Sequence, residues 1–209
     1  FHLFYDTKIF IVKEDIICWQ FHDLYDIIKN KGENVDLKLV VPQKEDLWFK
    51  KEIKEDPNTM DYNAGYDLNF SGYNRENGII RTDIKELEEV WSKKWIGNEP
   101  TNFYYYIKDG DTFIGEIYAK FDSSKNSHEI GIVIKGEHRG KGYATPAIKL
   151  LCEKLKENGV KNLYHKLPMS RKSAIKADIN NGFVVIKENI DGMKKFGEIE
   201  KVVYLEKKQ

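Results

Sequence analysis

The chain has 209 residues, 41% of them apolar, which is enough for one main domain with a buried core and an extension. Its 34 basic residues balance 34 acidic ones. A net charge of zero excludes general attraction to nucleic acid or to a membrane surface, so any anion site must be local. No apolar run reaches the roughly 20 residues of a membrane span, and the first ten residues carry no signal pattern. We therefore expect a soluble, cytoplasmic protein.

The two cysteines, Cys18 and Cys152, lie far apart in the sequence, each within an apolar helical pattern. This arrangement predicts two buried, reduced thiols rather than a disulfide, in a reducing compartment.

The N-terminal segment reads as a small unit of its own. The run KIFIVK (8–13) predicts a short strand, and an amphipathic pattern that ends at Gly32 predicts a helix. The polar stretch GENVD then marks a boundary. We predict a strand-helix extension over 1–35 and a main domain over 36–209. The extension could cover the sheet or pair with a second subunit to form a homodimer, and the sequence leaves both open.

The main domain begins with a strand, LKLVVP (37–42), and a short amphipathic helix that ends before Pro57. The segment 56–80 is polar and rich in Tyr and Gly, which is typical of a flexible loop or of a wall of a substrate cleft. Its acidic and aromatic side chains suit a cationic amine. They are Tyr62, Tyr66, Asp67, Tyr73 and Glu76.

The next pattern is a helix capped by Thr82 or Asp83. We expect four of its residues to face inward: Leu87, Val90, Trp91 and Trp95. Three strand-like runs follow, and KDGD predicts a hairpin between the first two.

A helix over about 141–158, a strand over 161–166 and a short helix within 170–183 come next, with Gly159 as a natural helix end. Two final runs predict an antiparallel pair. The order of elements indicates an α+β fold with a mixed sheet.

The stretch HRGKGYATPAIKLL places two glycines and several bases directly before the helix over 141–158. It is not a P-loop, because Gly142 stands where that motif needs Ser or Thr after Lys141. It also departs from the dinucleotide fingerprint, because Thr145 replaces the third Gly or Ala. Glycines that let backbone amides approach, together with a helix N-terminus, still suit an anion. The alternative is an ordinary glycine-rich turn with solvated bases.

With its flanks, this stretch resembles the acetyl-coenzyme A binding motif of the GNAT superfamily of N-acyltransferases. Arg139, Gly142 and Ala144 fit the signature, which is Arg or Gln, two residues, Gly, one residue, then Gly or Ala. A strand precedes it and a helix follows it. Further along, AIKADINNGF is similar to the closing helix of the family. The resemblance covers roughly residues 36–190.

The resemblance implies the acyl-CoA N-acyltransferase fold, a mostly antiparallel sheet in which one parallel pair of strands splays apart. Backbone groups at Ile132 and Ile134 would bind the pantetheine arm of acetyl-CoA. Amides from Gly140 to Ala144 would bind its diphosphate, with charge from Arg139 and Lys141. The donor-binding residues so implied are Ile132, Val133, Ile134, Arg139, Gly140, Lys141, Gly142, Tyr143, Ala144 and Arg171; no metal is expected.

Acyl transfer to an amine needs a base, because the amine must be deprotonated before it attacks. For an amine with a pKa near 10.4, about 3.4 units above neutral pH, deprotonation costs about 4.6 kcal/mol. Glu129, at the start of the implied donor strand, is the first candidate and Glu116 the second. A solvent-facing carboxylate is an equally good interpretation of both. His128 lies at the same edge, where we expect a surface histidine.

Two positions depart from the family. Many members have a Tyr four residues before the final Gly, where it protonates the departing thiolate; this chain has Asp178 there. Tyr164 could replace it, although a strand Tyr usually serves packing. Many members also have Asn where this chain has Arg171, which with Lys172 could meet a phosphate of the adenosine half or remain solvated.

The sequence thus predicts an N-acetyltransferase that moves an acetyl group from acetyl-CoA to a primary amine of a small molecule or peptide, without nucleic acid or membrane as partner. An acyl-CoA-binding regulatory module without turnover is the alternative, and the absence of the Tyr keeps it open. A nucleic-acid or partner-binding protein that uses the basic turn is the third, and the neutral charge argues against it.

Overall fold

A computed structural model describes residues 36–209. The predicted strand and helix of the first 35 residues, and Cys18, lie outside the described residues, and the predicted domain boundary stays a prediction.

Seven strands form one sheet in the order β1-β2-β3-β4-β5-β7-β6. Every neighbouring pair is antiparallel except β4 and β5, which are parallel. The predicted α+β fold with one parallel splay is therefore confirmed. The strands are β1 (Leu37–Val40), β2 (Asn102–Asp109), β3 (Thr112–Asp122), β4 (Ser127–Ile134), β5 (Asn162–Pro168), β6 (Val184–Lys195) and β7 (Glu198–Lys208).

The helices pack on both faces of this sheet. They are α1 (Leu47–Glu55), α2 (Pro57–Met60), α3 (Ile84–Glu86), α4 (Ser92–Trp95), α5 (Ala144–Glu157) and α6 (Lys172–Asn180). Asp83 caps α3, because its side chain accepts from the amide of Lys85. A π-helical segment (Leu87–Trp91) joins α3 to α4.

Alternation along the strands divides the core between two faces. On the α5 face, residues such as Phe103, Ile117 and Ile130 pack against Leu151 of α5. On the α1 face, an aromatic cluster that includes Tyr104 and Tyr106 packs against Phe49 and Ile53 of α1. Strand β2 is buried on both faces over most of its length, which explains its nearly continuous apolar and aromatic sequence.

Local predictions are confirmed where the sequence carried a strong signal. The KDGD hairpin closes at Asp109 and Thr112 with Gly110 at φ +55°. Gly159 has φ +76° and is the second residue after the end of α5, and Cys152 is a buried free thiol. Leu87 is buried, and Trp91 and Trp95 pack against the aromatic cluster on the α1 face.

Two expectations are wrong. Val90 is 63% exposed, because the π-helical segment shifts the phase of the helix away from the 3.6-residue period on which the inward stripe was predicted. His128 is buried rather than on the surface; its ring lies beside Phe103 and Phe121, and its Nε2 is 2.7 Å from the carbonyl oxygen of Pro100.

The segment 56–80 is held against the β6–β7 hairpin. The amide of Phe196 donates to the carbonyl of Gly65, and Tyr66 pairs with Lys195. Two of its tyrosines have partners within the protein: the Tyr66 hydroxyl donates to Glu200, and the Tyr73 hydroxyl donates to the carbonyl oxygen of Asn63 at 2.7 Å. Asp67 and Arg75 form an exposed ion pair.

Candidate active site

The parallel pair β4–β5 separates almost as soon as it forms. Its pairing consists of His128 with Leu163 and Glu129 with Tyr164. Beyond that point β4 continues to Ile134, while β5 continues to Pro168 paired with β7 on its other side. A V-shaped gap therefore opens between the two strands, and we call it the cleft.

The free edge of β4 faces this cleft. The amide of Lys135 donates to the carbonyl of Ile114 on β3, so by the alternation of an antiparallel ladder Val133 also pairs toward β3. The intervening residues, Ile132 and Ile134, therefore direct their backbone groups into the cleft. Of the predicted donor contacts, Val133 has its backbone committed to β3, and its side chain lies on the α1 face.

The walls of the cleft are apolar and only partly buried. Side chains from β4, from the start of α5, from the segment after β5 and from α6 pack against the core on the α5 face without being fully covered. They are Ile132, Ile134, Tyr143, Ala144, Met169, Ala174 and Ile175.

The glycine turn closes the wide end of the cleft. Gly140 and Gly142 have φ of +75° and +83°, a region that side chains disfavour, and the space where a Cβ would stand is empty at both. Helix α5 begins directly afterwards at Ala144. Pro146 has no N–H and Ala147 donates its amide to the carbonyl of Tyr143, so the amides of Ala144 and Thr145 are the ones that this end of the helix can offer to an anion.

The bases at the turn are not equivalent. Arg139 is bonded to the protein: its Nε donates to the carbonyl of Ile134 at 3.2 Å, and its Nη1 to Asp61 at 2.8 Å, while Nη2 contacts the carbonyl of Thr59. It ties the turn to the segment after α2. Lys141 is exposed.

Arg171 and Tyr143, two more of the predicted donor-binding residues, have side chains that contact other parts of the protein. The guanidinium of Arg171 lies 4.6 Å from the ring centre of Tyr62, whose carbonyl it contacts at 3.3 Å. The hydroxyl of Tyr143 donates to Asp109 at 2.7 Å, so this side chain anchors the start of α5 to β2.

On the α1 face, Glu129 lies beside an aromatic side chain that crosses the donor strand. A Cβ at Gly131 would overlap the ring and hydroxyl of Tyr118, so the phenol lies over the backbone of Gly131. Burial raises the pKa of Tyr118 to about 12, with a further contribution from the charges of Glu129 and Glu116. Glu129 itself is partly buried. A carboxylate and a phenol that interact electrostatically therefore lie on the same face, near the narrow end of the cleft.

Glu116 is fully engaged by the protein. Its two carboxylate oxygens lie 2.7 and 2.8 Å from Nζ of Lys50, and the hydroxyl of Tyr104 donates to it. The ammonium of Lys50 also lies 5.4 Å from the ring centre of Trp91. A carboxylate held in this way has both oxygens occupied, so its predicted role as base stays a prediction that the geometry does not favour.

Tyr164 also lies on the α1 face, where its hydroxyl donates to Asp122 at 2.8 Å. Burial is the main cause that raises its pKa above the ordinary value, and the bond to Asp122 adds to it. A phenol with a raised pKa is a weaker acid. Its predicted role as acid stays a prediction, and these contacts argue against it.

Two features of the site escaped the sequence analysis. Nothing in the sequence of its own strand distinguishes Tyr118. Gly131 in the next strand could have indicated it, because a glycine inside a strand often marks a place where another group approaches the backbone closely. The pair of His165 with Asp178 had no signal, since β5 and α6 come together only in the fold.

Other sites are absent from the described chain. Within residues 36–209, no group of three or more His, Cys, Asp or Glu side chains could hold a metal ion. In the same residues, no helix is both long and apolar enough to cross a membrane. Two open depressions of about 840 and 630 Å³ lie along α1 and the segments before α1 and α3, and no residue of the cleft lines them.

The sequence over residues 70–177 matches the model of the acetyltransferase (GNAT) family. This match covers more than half of the chain. The chain belongs to the GNAT acetyltransferase family. As a member it is an acetyl-CoA-dependent N-acetyltransferase. No curated protein matches the sequence.

Solved structures share this GNAT fold at low sequence identity. Spermidine N-acetyltransferase from Vibrio cholerae, in complex with CoA and spermine, has a TM-score of 0.67 at 20% identity, covering 84% of this chain and 97% of that one. The yncA protein from Salmonella typhimurium, solved with its cofactor acetyl-CoA, has a TM-score of 0.59 at 15% identity, covering 82% and 93%.

The cleft of this GNAT chain offers two features whose chemistry suits acetyl-CoA. A free strand edge at Ile132 matches the amides of a pantetheine arm, and the open glycine turn matches a diphosphate.

Proposed function

We propose that this chain transfers the acetyl group of acetyl-CoA to a primary amine of a small molecule or peptide by direct attack on the thioester. One observation carries the proposal: a single cleft leads from the glycine turn, along the free edge of β4, to Glu129 and Tyr118. A diphosphate-bearing donor that lies along this path would bring its thioester to the carboxylate.

The proposed donor contacts are mostly backbone groups. Amides from Gly140 to Ala144 hold the diphosphate, with Lys141 adding charge, and Ile132 holds the arm. Ile134 offers its amide, while its carbonyl already accepts from Arg139. Arg171, stacked on Tyr62, forms the side of the entrance and meets the adenosine half.

Glu129 is the proposed base. A protonated amine must lose a proton before it attacks, at a cost of about 4.6 kcal/mol at neutral pH for an ordinary aliphatic amine. A carboxylate at the end of the paired part of β4 removes this proton directly or through water. Tyr118, whose phenol lies over Gly131 and whose pKa is raised in part by the charge of Glu129, borders the same part of the strand.

The proposed acceptor is a cationic aliphatic amine. Aromatic faces and carboxylates together attract ammonium groups, and Trp95 packs edge-on against Tyr118 at 5.1 Å between ring centres. The similar protein from Vibrio cholerae is named for spermidine, so polyamines are the first acceptors to test. We further propose the cytoplasm as location and no role for nucleic acid, in keeping with the balanced charge.

The test is a thiol-release assay with acetyl-CoA across a panel of amines, repeated with Glu129→Gln. We expect kcat to fall by about 10² to 10⁴ with the variant, with acetyl-CoA affinity unchanged, and the loss to shrink as pH rises toward the amine pKa. Glu157→Gln, an exposed carboxylate at the end of α5, is the control. Full activity of Glu129→Gln at every pH would refute the base; CoA binding without thiol release for any amine would instead support the regulatory module.

A further inference from the structure

A buried acid-base pair lies at the point of the cleft on the face opposite Glu129. His165 directly follows Tyr164, the last residue of β5 that pairs with β4. Its neighbours Leu163 and Leu167 belong to the core on the α5 face, so by alternation its ring points to that side. Asp178, on α6, is 0% exposed and His165 is 6% exposed.

The pair is bonded on one side and open on the other. Nδ1 of His165 is 2.8 Å from Oδ2 of Asp178. No residue in 36–209 bonds the second ring nitrogen, Nε2. The second oxygen, Oδ1 of Asp178, is buried without a hydrogen-bond partner. Buried polar atoms nearly always have partners, so the open Oδ1 of Asp178 beside a histidine bonded at one nitrogen requires an explanation.

The charged and titratable groups around the pair do not supply that partner. Lys207, on β7, donates to the carbonyl of Asn181 at 2.7 Å. Cys152, on α5, has its pKa raised by burial and is therefore neutral near pH 7. From β4, His128 is bonded to Pro100 at the paired end of the strand. The cleft opens beside the pair, because the β4–β5 pairing ends at Tyr164 and His165 is the next residue of β5.

We propose that His165, held by Asp178, donates the proton that the departing thiolate of CoA requires. This inference rests on the proposed acetyl transfer. The carbon–sulfur bond breaks, its electron pair goes to sulfur, and the proton on Nε2 moves to that sulfur to give the free thiol. The imidazole that remains is neutral. Its Nδ1 keeps its proton, which is hydrogen-bonded to the Asp178 carboxylate, and solvent then reprotonates Nε2.

Geometry assigns this role to His165 rather than to Tyr164. The two side chains are adjacent on β5 and point to opposite faces, and the Tyr164 hydroxyl already donates to Asp122. Asp178 is the positioning residue, because a carboxylate on Nδ1 fixes the ring so that Nε2 is the proton donor.

The test compares two acetyl donors that differ in the basicity of the leaving group. The leaving group of acetyl-CoA is a basic thiolate that needs a proton. The leaving group of p-nitrophenyl acetate is a weakly basic phenolate that does not. In the wild type, we expect the single-turnover rate with acetyl-CoA to show a larger solvent deuterium isotope effect than the rate with p-nitrophenyl acetate, because only the thiolate needs a proton as it leaves.

For His165→Gln we expect a loss of roughly 10² with acetyl-CoA and less than about threefold with p-nitrophenyl acetate. Asp178→Asn should show the same selectivity to a smaller extent. His128→Gln, the other buried histidine of the parallel pair, should affect both donors equally.

Equal losses for both donors in the His165 and Asp178 variants would overturn the proposal and leave the pair a packing role. If His165→Gln does not fold, Asp178→Asn and the wild-type comparison of donors decide the question. A wild type without any amine-dependent thiol release would refute the proposed function instead, which separates the two failures.

Discussion

Removing Lys50 should destabilise the protein strongly. Lys50 and Glu116 have side chains that are 12% and 5% exposed, and the ammonium contacts both carboxylate oxygens. In Lys50→Met the carboxylate stays buried with Tyr104 as its remaining donor. Breaking a buried ion pair in this way costs about 3–5 kcal/mol. Because Lys50 keeps some contact with solvent, we expect about 3 kcal/mol, or a fall in Tm of about 6–12 °C.

Urea denaturation of three variants measures this loss of free energy of unfolding. The double variant Lys50→Met with Glu116→Gln should recover more than half of the lost free energy of unfolding, because no unpaired charge remains buried. Lys51→Met is the matched control: its ion pair with Glu55 on the same helix is much more exposed and should contribute less than about 1 kcal/mol. If Lys50→Met costs as little as Lys51→Met, or if the double variant is no more stable than the single one, the reasoning is wrong.

Two further predictions concern the turn before α5 and the thiol within that helix. Gly142→Ala and Gly159→Ala both place a methyl group at a positive φ with open space around it, so each should lower the free energy of unfolding by about 1 kcal/mol. Calorimetry should show weaker CoA binding for Gly142→Ala alone. Equal loss of affinity in both would contradict a diphosphate site at this turn. Cys152, buried and with a raised pKa, should resist iodoacetamide until denaturant is added; peptide mass spectrometry that finds it alkylated in the native protein would contradict its burial.

The sequence predicted the parts of the molecule that are local. The strand-like runs of β2, β3 and β4 are contiguous in the sequence, and the glycines at 110 and 159 lie within the turns whose conformation they determine. The same holds for the turn between β4 and α5, which is contiguous in the chain. A resemblance carried by neighbouring residues could therefore predict the splayed strands and the turn that follows them from the sequence alone.

Contacts between distant residues could not be predicted in that way. Lys50 and Glu116 are 66 positions apart, and Arg139 and Asp61 are 78 apart. Arg139 carried a positive charge in the right place of a motif, yet its guanidinium is held by the protein itself. Periodicity also assumes one helical repeat, so it misplaced Val90 in the π-helical segment.

The brief junction between β4 and β5 has a mechanical consequence. A sheet is stiff when each strand is tied to both neighbours along its length, and here the two parts of the sheet, β1 to β4 and β5, β7 and β6, pair with each other through two residue pairs of the described chain. A donor lying along Ile132 would span this seam. Its affinity and the rigidity of the sheet would then be thermodynamically linked. A bound donor would stabilise the sheet across the junction between β4 and β5.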